Sequence, residues 1–222
     1  MPEQGLSKIR EPIRSGTGTI GALGQGARSE TQMRVQDRFI GKAAAALMAF
    51  AASGAFQAAH AELQQGETAP PFTAQASLGG KVFKFSLEDA LKKGPVVLYF
   101  YPAAFTKGCT IEAHLFADAV DKFQSDYHAT VIGVSHDNIE TLNKFSVSEC
   151  RSKFPVAADG NRKIMTEYDA QMTAKPMANR VSYVIEPDGK VWYSYQSMDP
   201  SQHVDNTMRA LDDYQKTHPV QN

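Results

Sequence analysis

Apolar and polar positions in residues 62–222 switch repeatedly between a period of two and a period near 3.6, and the switches outline an α/β domain. Phe72 to Gln75 and Lys81 to Ser86 alternate polar with apolar on either side of Gly79-Gly80, which predicts a β-hairpin. Leu87 to Lys93 reads as a short helix stopped by Gly94-Pro95. Val96-Val97-Leu98-Tyr99-Phe100 is a continuous apolar run, the pattern of a strand covered on both faces, and Pro102 ends it. From Cys109 to about Ser125 the apolar residues Leu115, Phe116, Ala119, Val120 and Phe123 recur at helical spacing. Thr130 to Ser135 predicts a second buried strand. Asn138 to Glu149 carries Ile139, Leu142 and Phe145 on one helical stripe, and Asp159-Gly160 precedes a short helix with Ile164, Met165 and Tyr168.

Ser182 to Ile185 and Lys190 to Tyr193 flank Pro187-Asp188-Gly189, a second hairpin, and Val204 to Tyr214 closes the chain as a helix. Strands alternating with helices before a terminal hairpin and helix predict a mixed sheet with helices on both faces. A thioredoxin-like fold has this order, and on pattern alone other α/β folds share it.

The first 61 residues stand apart. From Met33 to Lys42 the chain carries three basic side chains; an Ala-rich apolar run follows from Ala43 to Phe56, then Ala59-His60-Ala61 before Glu62. Basic segment, short apolar core and small-residue site are the pattern of a secretory signal peptide, and the apolar run falls short of the roughly 20 residues a bilayer span needs. A cleaved signal at residues 33–61 predicts an exported protein, in a bacterium a periplasmic one, with no membrane attachment after cleavage. Residues 1–32 are Gly-rich without apolar periodicity and are expected to come from an over-extended reading frame with translation starting at Met33. One domain is expected over residues 62–222.

Charge changes little in this picture. The 23 basic and 24 acidic residues give a formal net charge of -1, and no long run of one sign occurs. Acidic side chains outnumber basic ones after residue 61, so neither nucleic acid nor anionic membrane is an expected partner. The two cysteines, Cys109 and Cys150, are too few for a disulfide scaffold in a domain of this size, and reaction chemistry is the better account of them.

The informative stretch is Pro102-Ala103-Ala104-Phe105-Thr106-Lys107-Gly108-Cys109-Thr110-Ile111-Glu112. It joins a buried strand to an amphipathic helix, so Cys109 falls in the helix's first turn at the strand's C-terminal end, the edge where open α/β sheets bind ligands. Free N–H groups and a partial positive charge at a helix N-terminus favour thiolate over thiol. Thr106, three residues earlier, is placed to present its hydroxyl to the same spot.

Pro102, Thr106 and Cys109 match the Pro-x-x-x-Thr-x-x-Cys motif of peroxiredoxins, and the surrounding Tyr-Phe-Tyr-Pro and Gly-Cys-Thr-x-Glu resemble its bacterioferritin-comigratory, or Q-type, subgroup. The resemblance runs from about Gly66 to Lys216 and includes Arg180-Val181-Ser182-Tyr183-Val184-Ile185. It implies a thioredoxin-like fold and a cofactor-independent peroxidase acting on hydrogen peroxide and organic hydroperoxides. Cys109 would be the nucleophile, becoming a sulfenic acid. The resemblance further implies that Thr106 hydrogen-bonds peroxide and sulfur and that Pro102 shields the sulfur. It puts the Arg180 guanidinium beside thiolate and peroxide, where it stabilises developing negative charge, and Glu112 in the polar network orienting that arginine, a solvated first-turn glutamate being the other reading of that residue. A thiol reductant, either a thioredoxin-like protein or a small thiol, would restore the enzyme.

Two positions depart from the Q-type pattern. Many members carry a resolving cysteine five residues after the first; here that position is His114, read as a partly exposed helix residue. Other members place it in the following helix, which implies that Cys150 is the resolving thiol, with Arg151 and Lys153 expected to keep it thiolate-like. His128, His136, His203 and His218 form no metal-ligand spacing and are read as surface or loop residues. Two alternatives share the fold: an exported thiol-disulfide oxidoreductase, which needs Cys-x-x-Cys where this chain has Cys109-Thr110-Ile111-Glu112, and a copper-binding chaperone, which needs paired cysteines close in sequence plus a histidine.

Overall fold

The computed structural model describes residues 62–219. Its elements in chain order are β1 (Thr73–Leu78), β2 (Lys81–Ser86), α1 (Leu87–Leu91), β3 (Val96–Phe100), α2 (Lys107–Tyr127), β4 (Thr130–Ser135), α3 (Ile139–Ser148), β5 (Val156–Ala158), α4 (Lys163–Glu167), β6 (Val181–Ile185), β7 (Val191–Gln196) and α5 (His203–Thr217), with a 3-10 turn at Pro200–Gln202 before the last helix. The signal peptide and over-extended N-terminus expected before Glu62 lie outside the described residues.

The strands form a seven-stranded sheet in the order β2-β1-β5-β4-β3-β6-β7. β3, β4 and β5 run parallel, while β1, β6 and β7 join antiparallel. Parallel neighbours require crossovers, and α2 and α3 supply them. All five residues of β3 are buried because both faces are covered. Val96, Leu98 and Phe100 pack with Leu87, Met165 and Tyr168 on the face carrying α1 and α4. Val97 and Tyr99 pack with Phe116, Phe145 and Leu211 on the face carrying α2, α3 and α5. The alternation of Cβ directions along one strand thus feeds two separate cores.

The buried face of α2 is centred on Ala113, Phe116, Val120, Phe123 and Tyr127, with Leu115 and Ala119 at its margin. It ends where His128 turns left-handed (φ 52°) and its N–H bonds to the Phe123 carbonyl. β5 went unread in the sequence because three residues are too few to show a period.

Gly133 lies at the centre of β4 for a steric reason. A Cβ there would sit 2.6 Å from Cζ of Tyr99, whose ring stacks on Phe116 at 4.4 Å between centroids. Gly133→Ala should therefore displace that stack and lower stability by about 1–3 kcal/mol, the usual cost of overpacking a closed core. Urea unfolding at constant m-value checks this; an unchanged midpoint would show that the slot yields freely.

Candidate active site

The turn from β3 into α2 carries Cys109, the candidate nucleophile. Cys109 is the third residue of α2 and is only 1% exposed. Thr106 occupies the N-cap position in extended backbone, and its carbonyl accepts from Thr110 N–H. Its hydroxyl, however, donates to the Ala103 carbonyl at 3.0 Å, so in this state it braces its own loop. Pro102 is half-buried at the bend directly after β3.

The loop between Pro102 and Thr106 is held from outside. Ala104 N–H donates to Asp137 Oδ2 at 2.7 Å, and Ser135 Oγ at the end of β4 donates to the same oxygen at 2.7 Å. Phe105 has φ 62°, an uncommon conformation for a bulky residue, and its half-exposed ring packs edge-on against Phe145 of α3 at 5.2 Å. Asp137 and Phe105 carry no motif that the sequence reading used; their roles depend on what lies across the loop.

Arg180 reaches the sulfur from the chain just before β6. Its Nη2 donates to Cys109 Sγ at 3.5 Å, its Nε donates to the Met198 carbonyl at 3.2 Å, and its Nη1 pairs with Glu112 Oε2. It is 2% exposed, an unusual place for a cation. Burial pulls its pKa down, but Glu112 and Cys109 outweigh that, so the guanidinium stays charged. Glycine at position 108 leaves room for it, since a Cβ there would meet Nη2 at 3.0 Å.

Glu112, one turn further along α2, is fully buried rather than solvated. Loss of hydration pushes its carboxyl up to about 8, and the charge of Arg180 and the hydrogen bond from it only partly counter that. Its second oxygen, Oε1, has no hydrogen-bond partner among the described residues. His203 Nδ1 lies 3.7 Å from it.

The reading of His203 as a surface or loop residue is corrected here: it is fully buried at the start of α5. Nδ1 lies 2.8 Å from Ser182 Oγ and Nε2 lies 2.9 Å from the Ser197 carbonyl oxygen. Burial lowers its pKa to about 4, so the ring is neutral near pH 7. Nothing in the local sequence separates His203 from an exposed helix-start histidine, because its partners come from α2, β6 and the end of β7.

Cys150 lies apart from this cluster, two positions beyond the last residue of α3, and both cysteines are free thiols. It is fully buried in the same apolar core as Cys109. The expectation that Arg151 and Lys153 favour its thiolate does not hold. Those cations pair outward with Asp118 and Asp121 of α2, and burial, with Glu149 adding, raises the Cys150 thiol well above its ordinary range. His114, partly exposed as expected, places Nε2 2.9 Å from Glu149 Oε2. Two ion pairs and the His114–Glu149 contact, all from one side of α2, thus hold the Cys150 turn, in which Arg151 and Ser152 both have positive φ.

The family model described as AhpC/TSA matches residues 65–194. The chain belongs to the AhpC/TSA family. It is 35% identical over 162 residues to the YkuU protein of Bacillus subtilis, covering 68% of this chain and 88% of that one. It is 33% identical over 153 residues to Peroxiredoxin Q, chloroplastic, of Sedum lineare, covering 68% and 79%. Among solved structures, peroxidoxin BcpB from Mycobacterium tuberculosis superposes with a TM-score of 0.61 at 29% identity over 68% of this chain and 97% of that one. The fold is accordingly the thioredoxin-like one of the AhpC/TSA peroxiredoxins.

The buried carboxyl gives a pH test. Between the ordinary carboxylate value of 4.5 and about 8 the folded protein holds a proton that the unfolded chain has released. Stability from this group is fully present below 4.5 and is lost as pH rises through 8, with a slope of at most about 1.4 kcal/mol per pH unit. Glu112→Gln should flatten that decline in a denaturation series from pH 5 to 8.5. An unaltered slope would show that Glu112 is ionised in the folded protein throughout.

Proposed function

We infer that this protein reduces hydroperoxides through Cys109. Family and fold make it a thiol-dependent peroxidase. The observation that carries the assignment of the site is the buried Arg180 guanidinium directed at Cys109 Sγ from 3.5 Å in the first turn of α2. The sulfur attacks one peroxide oxygen, an S–O bond forms as the O–O bond breaks, and the alcohol or water leaves with a proton. Arg180 is placed to stabilise the sulfur's negative charge and the charge that develops on the departing oxygen. Pro102 and Thr106 close the loop side, and Thr106 needs only to turn its hydroxyl from Ala103 to reach a bound peroxide.

The substrates are hydrogen peroxide and organic hydroperoxides, and the reductant is a thioredoxin-like protein or small thiol. The basic, apolar and small-residue sequence of residues 33–61 supports export, in a bacterium to the periplasm. Cys150 is the resolving thiol: it condenses with the Cys109 sulfenic acid, forming a disulfide and releasing water. Membership of one apolar core by both thiols supports this, as does the positive-φ turn that holds Cys150. A disulfide requires Cα atoms within about 7 Å, and the Cys150 turn, held by surface contacts, is the segment placed to adjust for it.

Cys109→Ser should abolish peroxide consumption while leaving the fold intact, because a hydroxyl is a far weaker nucleophile. Arg180→Ala should slow it by about 10²–10³ through loss of one preorganised donor. Stopped-flow peroxide assays decide both; substantial activity in Cys109→Ser would refute the assignment.

Resolution is tested separately by non-reducing peptide mapping after one equivalent of peroxide. Wild type should yield a Cys109–Cys150 linked peptide, and Cys150→Ser should stop at sulfenic acid or over-oxidise. Accumulated sulfenic acid in wild type with Cys150 unmodified would mean that one cysteine does all the work.

A further inference from the structure

We propose that His203 is a positioning residue for the peroxidase reaction, its ring holding the Glu112 carboxyl, and through it Arg180, in place against Cys109. The inference rests on the assignment of Cys109 and Arg180 above. It starts from a shared anchor. Arg180 Nε donates to the Met198 carbonyl, and His203 Nε2 lies 2.9 Å from the neighbouring Ser197 carbonyl oxygen. Consecutive carbonyls of one segment thus grip both side chains, while Glu112 spans them, with Oε2 on Arg180 and Oε1 towards His203.

The hydrogen-bond inventory then fixes the proton count. A carbonyl oxygen only accepts, so Nε2 carries the proton and Nδ1 of the neutral ring offers a lone pair. The Ser182 hydroxyl, 2.8 Å away, can donate to that lone pair. Glu112 Oε1 therefore faces an acceptor, and no donor serves it among the described residues. A buried carboxylate oxygen so placed is costly, and a proton on Oε1 lessens the cost; from 3.7 Å, and with one lone pair on Nδ1, that proton reaches the ring only when the Ser182 hydroxyl turns away. Oε2 still accepts from Arg180, and the arginine's charge, no longer neutralised by a carboxylate, remains available to the sulfur and to the peroxide.

The surrounding charges agree with this assignment. Glu112 faces Arg180, and the Tyr99 hydroxyl from β3 lies near both Glu112 and Cys109. His203 faces Arg180 and, at the turn before α5, Asp199, whose carboxylate is engaged by Ser201 N–H. The Tyr195 ring from β7 closes the remaining side at 4.8 Å. Release of the Glu112 proton at high pH would give Arg180 a full counter-charge and place a second anion near the sulfur, so Cys109 oxidation should slow on the alkaline side.

The test is the single-turnover rate of Cys109 oxidation by hydrogen peroxide from pH 5 to 9 in wild type, His203→Ala and His203→Gln, with circular dichroism to show that each is folded. Removing the acceptor favours the ionised carboxyl, so His203→Ala should move the alkaline decline to lower pH and cost about tenfold in rate at pH 8. His203→Gln, whose amide can donate to Ser197 and accept from Glu112, should recover part of both. In wild type, nitrogen NMR should show His203 protonated on Nε2 alone at pH 7, a measurement that needs no folded variant. A wild-type rate and an unmoved decline in both variants would overturn the proposal, as would an imidazolium or an Nδ1–H ring at pH 7. Peroxide consumption that survives Cys109→Ser would instead defeat the assignment of the site, and the NMR result would still decide the hydrogen-bond arrangement.

Discussion

A guanidinium held in the protein interior between a sulfur and a carboxyl is the interaction on which the rest of this molecule depends. An unpaired buried cation is prohibitively costly, so every group near Arg180 has to be accounted for. Glu112 Oε2 and Cys109 Sγ on successive turns of α2 receive its N–H groups, the Met198 carbonyl receives Nε, and Gly108 keeps the helix backbone bare where Nη2 passes. The same arrangement suits the chemistry proposed for Cys109. A fixed positive group in a water-poor site would stabilise charge on sulfur and on a departing oxygen without reorganising during the reaction.

That geometry is only as good as the sheet beneath it. β3 carries the Cys109 loop and β6, its antiparallel neighbour, carries Arg180, so two adjacent central strands present the thiol and the cation. Burial of β3 on both faces keeps this register rigid, while Asp137 at the end of β4 pins the intervening loop. The Cys150 turn is built differently. Positive-φ residues and partly exposed polar contacts, each contributing little, hold a thiol whose burial disfavours its reactive form. The surroundings of Cys109 are braced from several elements, while the Cys150 turn rests on surface contacts that local opening would break.

The two cysteines illustrate how unevenly the site could be read in advance. Cys109 was legible because its neighbours in sequence are also its neighbours in space: strand, Pro102, Thr106 and helix start are contiguous. Glu112 was legible only as one of two possibilities, since a carboxylate near a helix start is compatible with the helix dipole whether it is solvated or buried. For Cys150 the adjacent Arg151 and Lys153 suggested a basic surrounding, yet both reach outward to α2. Adjacency in sequence misleads where the chain turns, because successive side chains then point to opposite sides.

By itself, the sequence determined the succession of elements, the two-faced burial of β3 and the placing of Cys109 in the first turn of α2. Each follows from local periodicity, from Pro and Gly at the breaks, and from a motif spanning eight residues. Tertiary structure alone decided that β5 pairs between β1 and β4, that Gly133 admits the Tyr99 ring, and that His203 faces Glu112 from the far end of the chain. These depend on contacts between positions tens of residues apart. Whether a polar side chain meets water or a buried partner is settled by what packs over it, and no local pattern carries that information.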